Sequence, residues 1–147
     1  MRKFLKILAS FFVIVFVIIP VAFVATHFIY GMHAEKRADA IVINPSANLI
    51  SLANAYQLSI PAADQPDCND NRYYGKGRSD KINVISTFIG WVDEAQSAES
   101  AAIRFQSQGG QQMAAVAAQD AINRWSHVAR LKADMNCYDI QSARSSY

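Results

Sequence analysis

The pattern of apolar and polar positions divides the chain into two unlike parts. From Ile7 to Ile29 no residue is charged, and the centre of the run reads Phe11-Phe12-Val13-Ile14-Val15-Phe16-Val17-Ile18-Ile19. A helix needs about 20 such residues to cross a hydrocarbon layer. In lipid the backbone must satisfy its own hydrogen bonds, which selects a helix despite the β-branched content. The pattern predicts a transmembrane helix over 7–30, with Pro20 mid-span as the place for a kink. Helix-compatible residues continue through Glu35-Lys36-Arg37-Ala38-Asp39.

Beyond the run the spacing stays helical. Asn44-Pro45 marks a break, with Asn44 expected to cap a short helix and Pro45 to occupy its first turn. In that helix, over Ser46–Leu58, Leu49, Leu52, Ala53 and Tyr56 share a face. From Ser59 to Ser79 turn formers dominate, among them Pro61, Pro66, Gly75 and Gly77. A helix capped by Ser79 or Asp80 then follows, with Ile82, Ile85, Phe88 or Ile89, Val92, Ala95 and Ala102 at helical spacing. Gln108-Gly109-Gly110-Gln111 interrupts it. A second helix over about 112–138 has Met113, Val116, Ala117, Trp125, Val128, Leu131 and Met135 as its apolar positions. Two helices of matched length around a short Gly-rich link predict an antiparallel hairpin over 80–138. Its core is expected from Phe88, Trp91, Phe105 and Trp125. Heptads with charged flanks are not evident, which argues against a long parallel coiled coil. The last six residues read as frayed. The expected fold class is all-α: one membrane helix, then a small helical domain.

Charge changes the picture of partners. The chain has 147 residues, and its net charge is +2. Three of the 14 Lys and Arg (Arg2, Lys3, Lys6) precede the apolar run, which leaves 11 against all 12 Asp and Glu beyond it. The outer domain is therefore about −1, without the clustered basic face a nucleic-acid binder needs. The same three cations and the terminal amine outweigh Lys36 and Arg37 on the other flank. The positive-inside rule then keeps residues 1–6 in the cytoplasm and places 31–147 outside it, periplasmic or extracellular, in a single-pass inner or plasma membrane protein. A cleaved signal sequence is the rival reading. The run is long for one, and Phe23 before Ala25 and Met32 before Ala34 spoil the small-x-small cleavage pattern.

Cys68 and Cys137 are the only cysteines, and both fall on the outer side. In an oxidising compartment two cysteines most simply form one disulfide, the alternatives being two intermolecular bridges or two free thiols. No CxxC redox pair or CxxCH haem motif occurs.

Other chemistry is weak. His27 and His33 are about 600° apart on a helix, facing different sides, so they bind haem or a metal only with ligands from other helices. Ala22 and Thr26 make a small-xxx-small pair. Asp67, Asn69 and Asn71 resemble the opening of a calcium loop, but Arg72 stands where its glycine belongs and Arg78 where its glutamate belongs. Gly75-Lys76-Gly77-Arg78-Ser79 lacks the spacing of a phosphate loop. Asp93, Glu94 and Glu99 read as a solvated face. Ser126 and His127 are adjacent and cannot face each other on a helix, so a triad with Asp120 is not expected. No catalytic, metal or cofactor residue is assigned.

Tyr and Arg are the residues interfaces favour, so Arg72, Tyr73, Tyr74, Lys76 and Arg78 form the candidate partner-binding loop; the bland alternative has the tyrosines packed over the helix ends. The expected function is a membrane-anchored, non-catalytic interaction protein, an accessory subunit of a membrane or envelope complex. Its partners are the lipid bilayer and a protein or a second copy, with no nucleic acid. Two alternatives stand beside it. The layout of N-terminal anchor and helical outer region is similar in plan to the inner-membrane spanins of phage lysis, which implies lysis control or envelope tethering. The high charge and coiled-coil character of such a rod are missing here. The other alternative is a haem- or metal-binding membrane subunit.

Overall fold

The computed structural model describes residues 12, 14–41, 43–61, 65–70, 73 and 78–144, with the side chains of Arg78 and Ser79 outside the description. The described residues are helical, with no strand among them: α1 (Ile19–Ala40), α2 (Ala47–Ala55), α3 (Arg78–Ser107) and α4 (Gln111–Arg144). The chain divides into two compact units, Met1–Arg37 and Ala38–Tyr147.

The described residues of the first unit form one apolar helical stretch. Pro20 has no N–H to offer the Phe16 carbonyl, and its ring crowds that group. The backbone before it widens into a five-residue π-helical stretch, Ile14–Ile18, so the disturbance expected at Pro20 takes this form. The helical stretch Ile14–Ala40 has 27 residues, long and apolar enough to cross a membrane, and its apolar side chains lie almost wholly outside any protein core. Inside it, the Thr26 hydroxyl donates to the carbonyls of Ala22 and Phe23 at 3.0 and 2.8 Å. That hydroxyl is satisfied within its own helix, so the Ala22–Thr26 pair offers a second helix small size rather than a hydrogen bond.

In the second unit, α2 is capped by Ser46, whose Oγ accepts from Leu49 N at 3.2 Å. Asn44 is not the cap: Pro45 lies before the helix, and the Ser46 hydroxyl sits at the right offset from the third helical N–H. The helix ends in a Schellman motif. Leu58 N donates to Ala53 O at 2.9 Å and Gln57 N to Asn54 O at 3.3 Å, with Gln57 in the left-handed region at φ 52°. Leu49, Leu52 and Ala53 are buried. Past the turn, Gln119 of α4 donates to Ser59 O at 3.1 Å and holds the outgoing strand of chain.

The α3–α4 pair forms the core. Its contacts run in opposite sequence directions, from Lys81 with Asp139 to Glu94 with Arg124. The buried positions on α3 are Ile85, Phe88, Val92, Ala95, Glu99 and Ala102; on α4 they include Ala114, Ala118, Ala121, Trp125, Val128 and Met135. The α3 set steps by alternating threes and fours, as does the α4 set from Ala114 to Val128 before a step of seven to Met135, a heptad seam. Its small members cluster near the connecting turn, where Ala102, Ala114 and Ala118 let the backbones approach, and its large members lie at the far end.

This seam differs from the sequence expectation. Met113 and Val116 are 56% and 66% exposed. Trp91 and Phe105 are half-buried flanking residues, while Phe88 and Trp125 belong to the core. The turn repeats the motif that ends α2: Gly110 N donates to Phe105 O and Gly109 N to Gln106 O, each at 3.0 Å, with Gly109 at φ 77°.

Two boundaries also differ. α3 begins at Arg78, so Ser79 and Asp80 lie inside its first turn, where Asp80 complements the helix dipole. α4 continues through Arg144 instead of ending near Tyr138, because its last turns bind the loop described next, so residues 142–144 of the six read as frayed are helical.

Candidate interaction site

Cys68 and Cys137 form a disulfide with Cα atoms 4.8 Å apart and a sequence separation of 69. Several polar contacts surround it. Gln141, buried, donates its side-chain amide to Cys68 O. Arg144 Nη1 donates to Asn69 Oδ1 at 2.9 Å. Asp67 Oδ1 accepts from Asn69 N at 2.9 Å, an Asx turn. Of the residues that resemble a calcium loop, Asp67 shapes the turn and Asn69 is held by α4; Asn71 lies outside the described residues.

Tyr73 is the member of the candidate partner loop whose side chain is described, and it is turned inward. It is 3% exposed, its ring meets Tyr138 edge-on at 5.2 Å, and its hydroxyl donates to Asp134. In this arrangement the Tyr73 ring packs against the end of α4. Arg72, Tyr74 and Lys76 lie outside the described residues, and Arg78 is described only as the backbone that opens α3.

A second cluster lies on the flank of the pair. Arg124 bridges Asp120, at 2.9 Å, and Glu94, and its guanidinium stands 5.8 Å from the Trp91 ring centre. The hydrogen bond that Arg124 donates to Asp120, and the charges of Asp120 and Glu94, raise the Arg124 pKa above its ordinary value against the opposing effect of desolvation. His127 meets the same Trp91 ring at 4.4 Å. The Ser126 hydroxyl donates to Ile122 O at 3.1 Å. Asp120 is spent on Arg124 and Ser126 on its own helix, so the three do not form a catalytic relay with His127. This flank was visible in the sequence only as scattered charges; Glu94 and Arg124 are 30 positions apart.

Across the seam, Trp125 Nε1 donates to Glu99 Oε2 at 2.8 Å, and Glu99 is 9% exposed. Glu99 is therefore not part of a solvated face with Asp93 and Glu94. Lys132 Nζ donates to Ala38 O at 3.0 Å and to Asp39 at 3.3 Å, tying the last turn of α1 to α4. It satisfies one of the orphan carbonyls of that helix end. Among the described residues no three His, Cys, Asp or Glu side chains converge on a metal-sized point. His27 packs its ring against Phe23 at 4.5 Å.

An apolar groove of about 180 Å³ opens between α2 and α4, lined by Leu49, Ala53, Ile122 and Trp125, with Ile50 and Ile60 at its exposed rim. No protein-family model, curated protein or solved structure matches the chain.

Proposed function

We propose that the protein is a membrane-anchored, non-catalytic interaction protein, an accessory subunit of a membrane or envelope complex. The observation that carries this reading is the stretch Ile14–Ala40: 27 helical residues, apolar and exposed, joined to a separate polar-surfaced unit. Such a helix in water would expose a large apolar surface, and a bilayer removes that cost. Arg2, Lys3 and Lys6 favour a cytoplasmic N-terminus and put Ala38 onward on the far side. A disulfide between Cys68 and Cys137 suits that oxidising side.

In this reading α3 and α4 are an antiparallel hairpin that presents a surface to a partner. Within the second unit Lys132 binds Asp39, and Met113 and Val116 lie about 25–30 Å from Lys132 along α4 at 1.5 Å per residue. These exposed apolar side chains at the turn end, with Ile50 and Ile60 at the groove, are the contact surface we assign to a protein partner.

The test is native mass spectrometry of the tagged full chain, gently extracted from its own membranes. A discrete heteromeric mass is expected, and the fraction in that mass should fall in an M113S/V116S variant. A monomer or a homo-oligomer alone would overturn the accessory-subunit reading.

A further inference from the structure

Four residues in the last turns of α4 are held by residues of the loop before α3. Cys137 is bonded to Cys68, Tyr138 packs on Tyr73, Gln141 donates to Cys68 O and Arg144 donates to Asn69. The Lys81–Asp139 pair is a link to α3, and it is exposed on the Asp139 side. A single exposed ion pair holds a helix end weakly. Two of the polar links, to Cys68 O and Asn69 Oδ1, end on the cystine residue or its neighbour, so they depend on Cys68 staying where the bond puts it.

We propose that this disulfide is a redox-controlled latch on the end of the domain: with the bond intact, residues 67–70 and 136–144 form one ordered cluster, and a dithiol reductant opens it while the α3–α4 seam persists. The two sulfurs differ in access, since Cys137 is fully buried and Cys68 is half-buried. A thiolate of the reductant attacks Cys68 Sγ, the S–S bond breaks, and Cys137 leaves as thiolate and takes a proton. The second thiol of the reductant then attacks the mixed disulfide. Cys68 leaves as thiolate and is protonated, and the reductant departs as its own disulfide. Two electrons pass from the dithiol to the cystine. Ile85, Phe88, Val92, Val128 and the alanines are buried on α3 and α4 outside residues 136–144, and this is why the opening stays local.

Hydrogen–deuterium exchange on the full chain in detergent tests this, comparing the oxidised protein, the protein treated with dithiothreitol, and a C68S/C137S variant. Amides of 136–144 should exchange at least ten-fold faster in both reduced forms, with those of 114–128 unchanged. Unchanged protection at 136–144 in the reduced forms would show the bond to be passive. Loss of protection across α3 and α4 together would show that it holds the whole fold. Either result overturns the latch.

Discussion

Trp125 donates its indole N–H to Glu99 across the α3–α4 seam, at 2.8 Å and out of solvent. A carboxylate occupies a heptad position where an apolar residue is the norm, and the indole is the partner that makes it tolerable. Removing the donor leaves a buried acceptor short of a bond, which costs about 1–3 kcal/mol. Trp125→Phe should therefore lower stability by about 2 kcal/mol, with Glu99→Gln well under that because it keeps an acceptor oxygen. Urea unfolding of the full chain in detergent, followed by circular dichroism, reads both. Equal losses would mean that the indole N–H is not what Glu99 depends on.

The cap of α2 gives a sharper comparison. Ser46→Ala should cost about 1 kcal/mol, the usual value of an N-cap side chain, and Asn44→Ala should be close to neutral. The same unfolding measurement separates them. A larger loss at Asn44 would move the start of the helix.

Two helix ends share one motif with different residues at its left-handed position. Gly109 has φ 77° and Gln57 has φ 52°. A side chain costs roughly 1–2 kcal/mol in that region, partly offset by the greater unfolded-state freedom of glycine. Gln57→Gly should stabilise by about 0.5 kcal/mol, and Gly109→Ala should destabilise by about 1 kcal/mol. Thermal midpoints of the two variants should move in opposite directions.

Ala118 is fully buried in the α3–α4 seam. Ala118→Leu inserts three carbons into a packed seam, at a cost of about 1–3 kcal/mol, more if the helices separate. Val116→Ser, two positions away and 66% exposed, should change stability by less than about 0.5 kcal/mol. Unfolding midpoints that fall equally would place Val116 in the core.

Tyr73→Phe keeps the buried ring and removes the hydroxyl that reaches Asp134. Stability should fall by about 1 kcal/mol. The heteromeric mass of the native complex should be unchanged, because the ring faces α4. Loss of the complex without loss of stability would return Tyr73 to the contact surface.

The helices themselves were legible in the sequence, because an uncharged run such as Ile7–Ile29 and the spacing of Ile85, Phe88 and Val92 are local signals. The seam was harder. Apolar size alone favours Met113, Val116 and Leu131, whereas the buried register on α4 runs through Ala114, Ala118 and Ala121. Alanine is a weak hydrophobe, and its burial follows from helix approach, which no window of residues reports. Glu99 was misread for a related reason: its partner Trp125 is 26 positions away. The continuation of α4 to Arg144 likewise depends on Asn69 and Cys68, residues brought to it only by the fold.

The bond between Cys68 and Cys137 also fixes what a protease can do. It closes a covalent ring that contains all of α3, the connecting turn and most of α4. A cut at the exposed turn around Gly109 opens the ring without dividing the molecule, and the piece carrying residues 110–147 remains tethered through Cys68 to the apolar helix. After such a cut, release of residues 110–147 into solution requires either a second cut before Cys68 or the loss of one sulfur–sulfur bond.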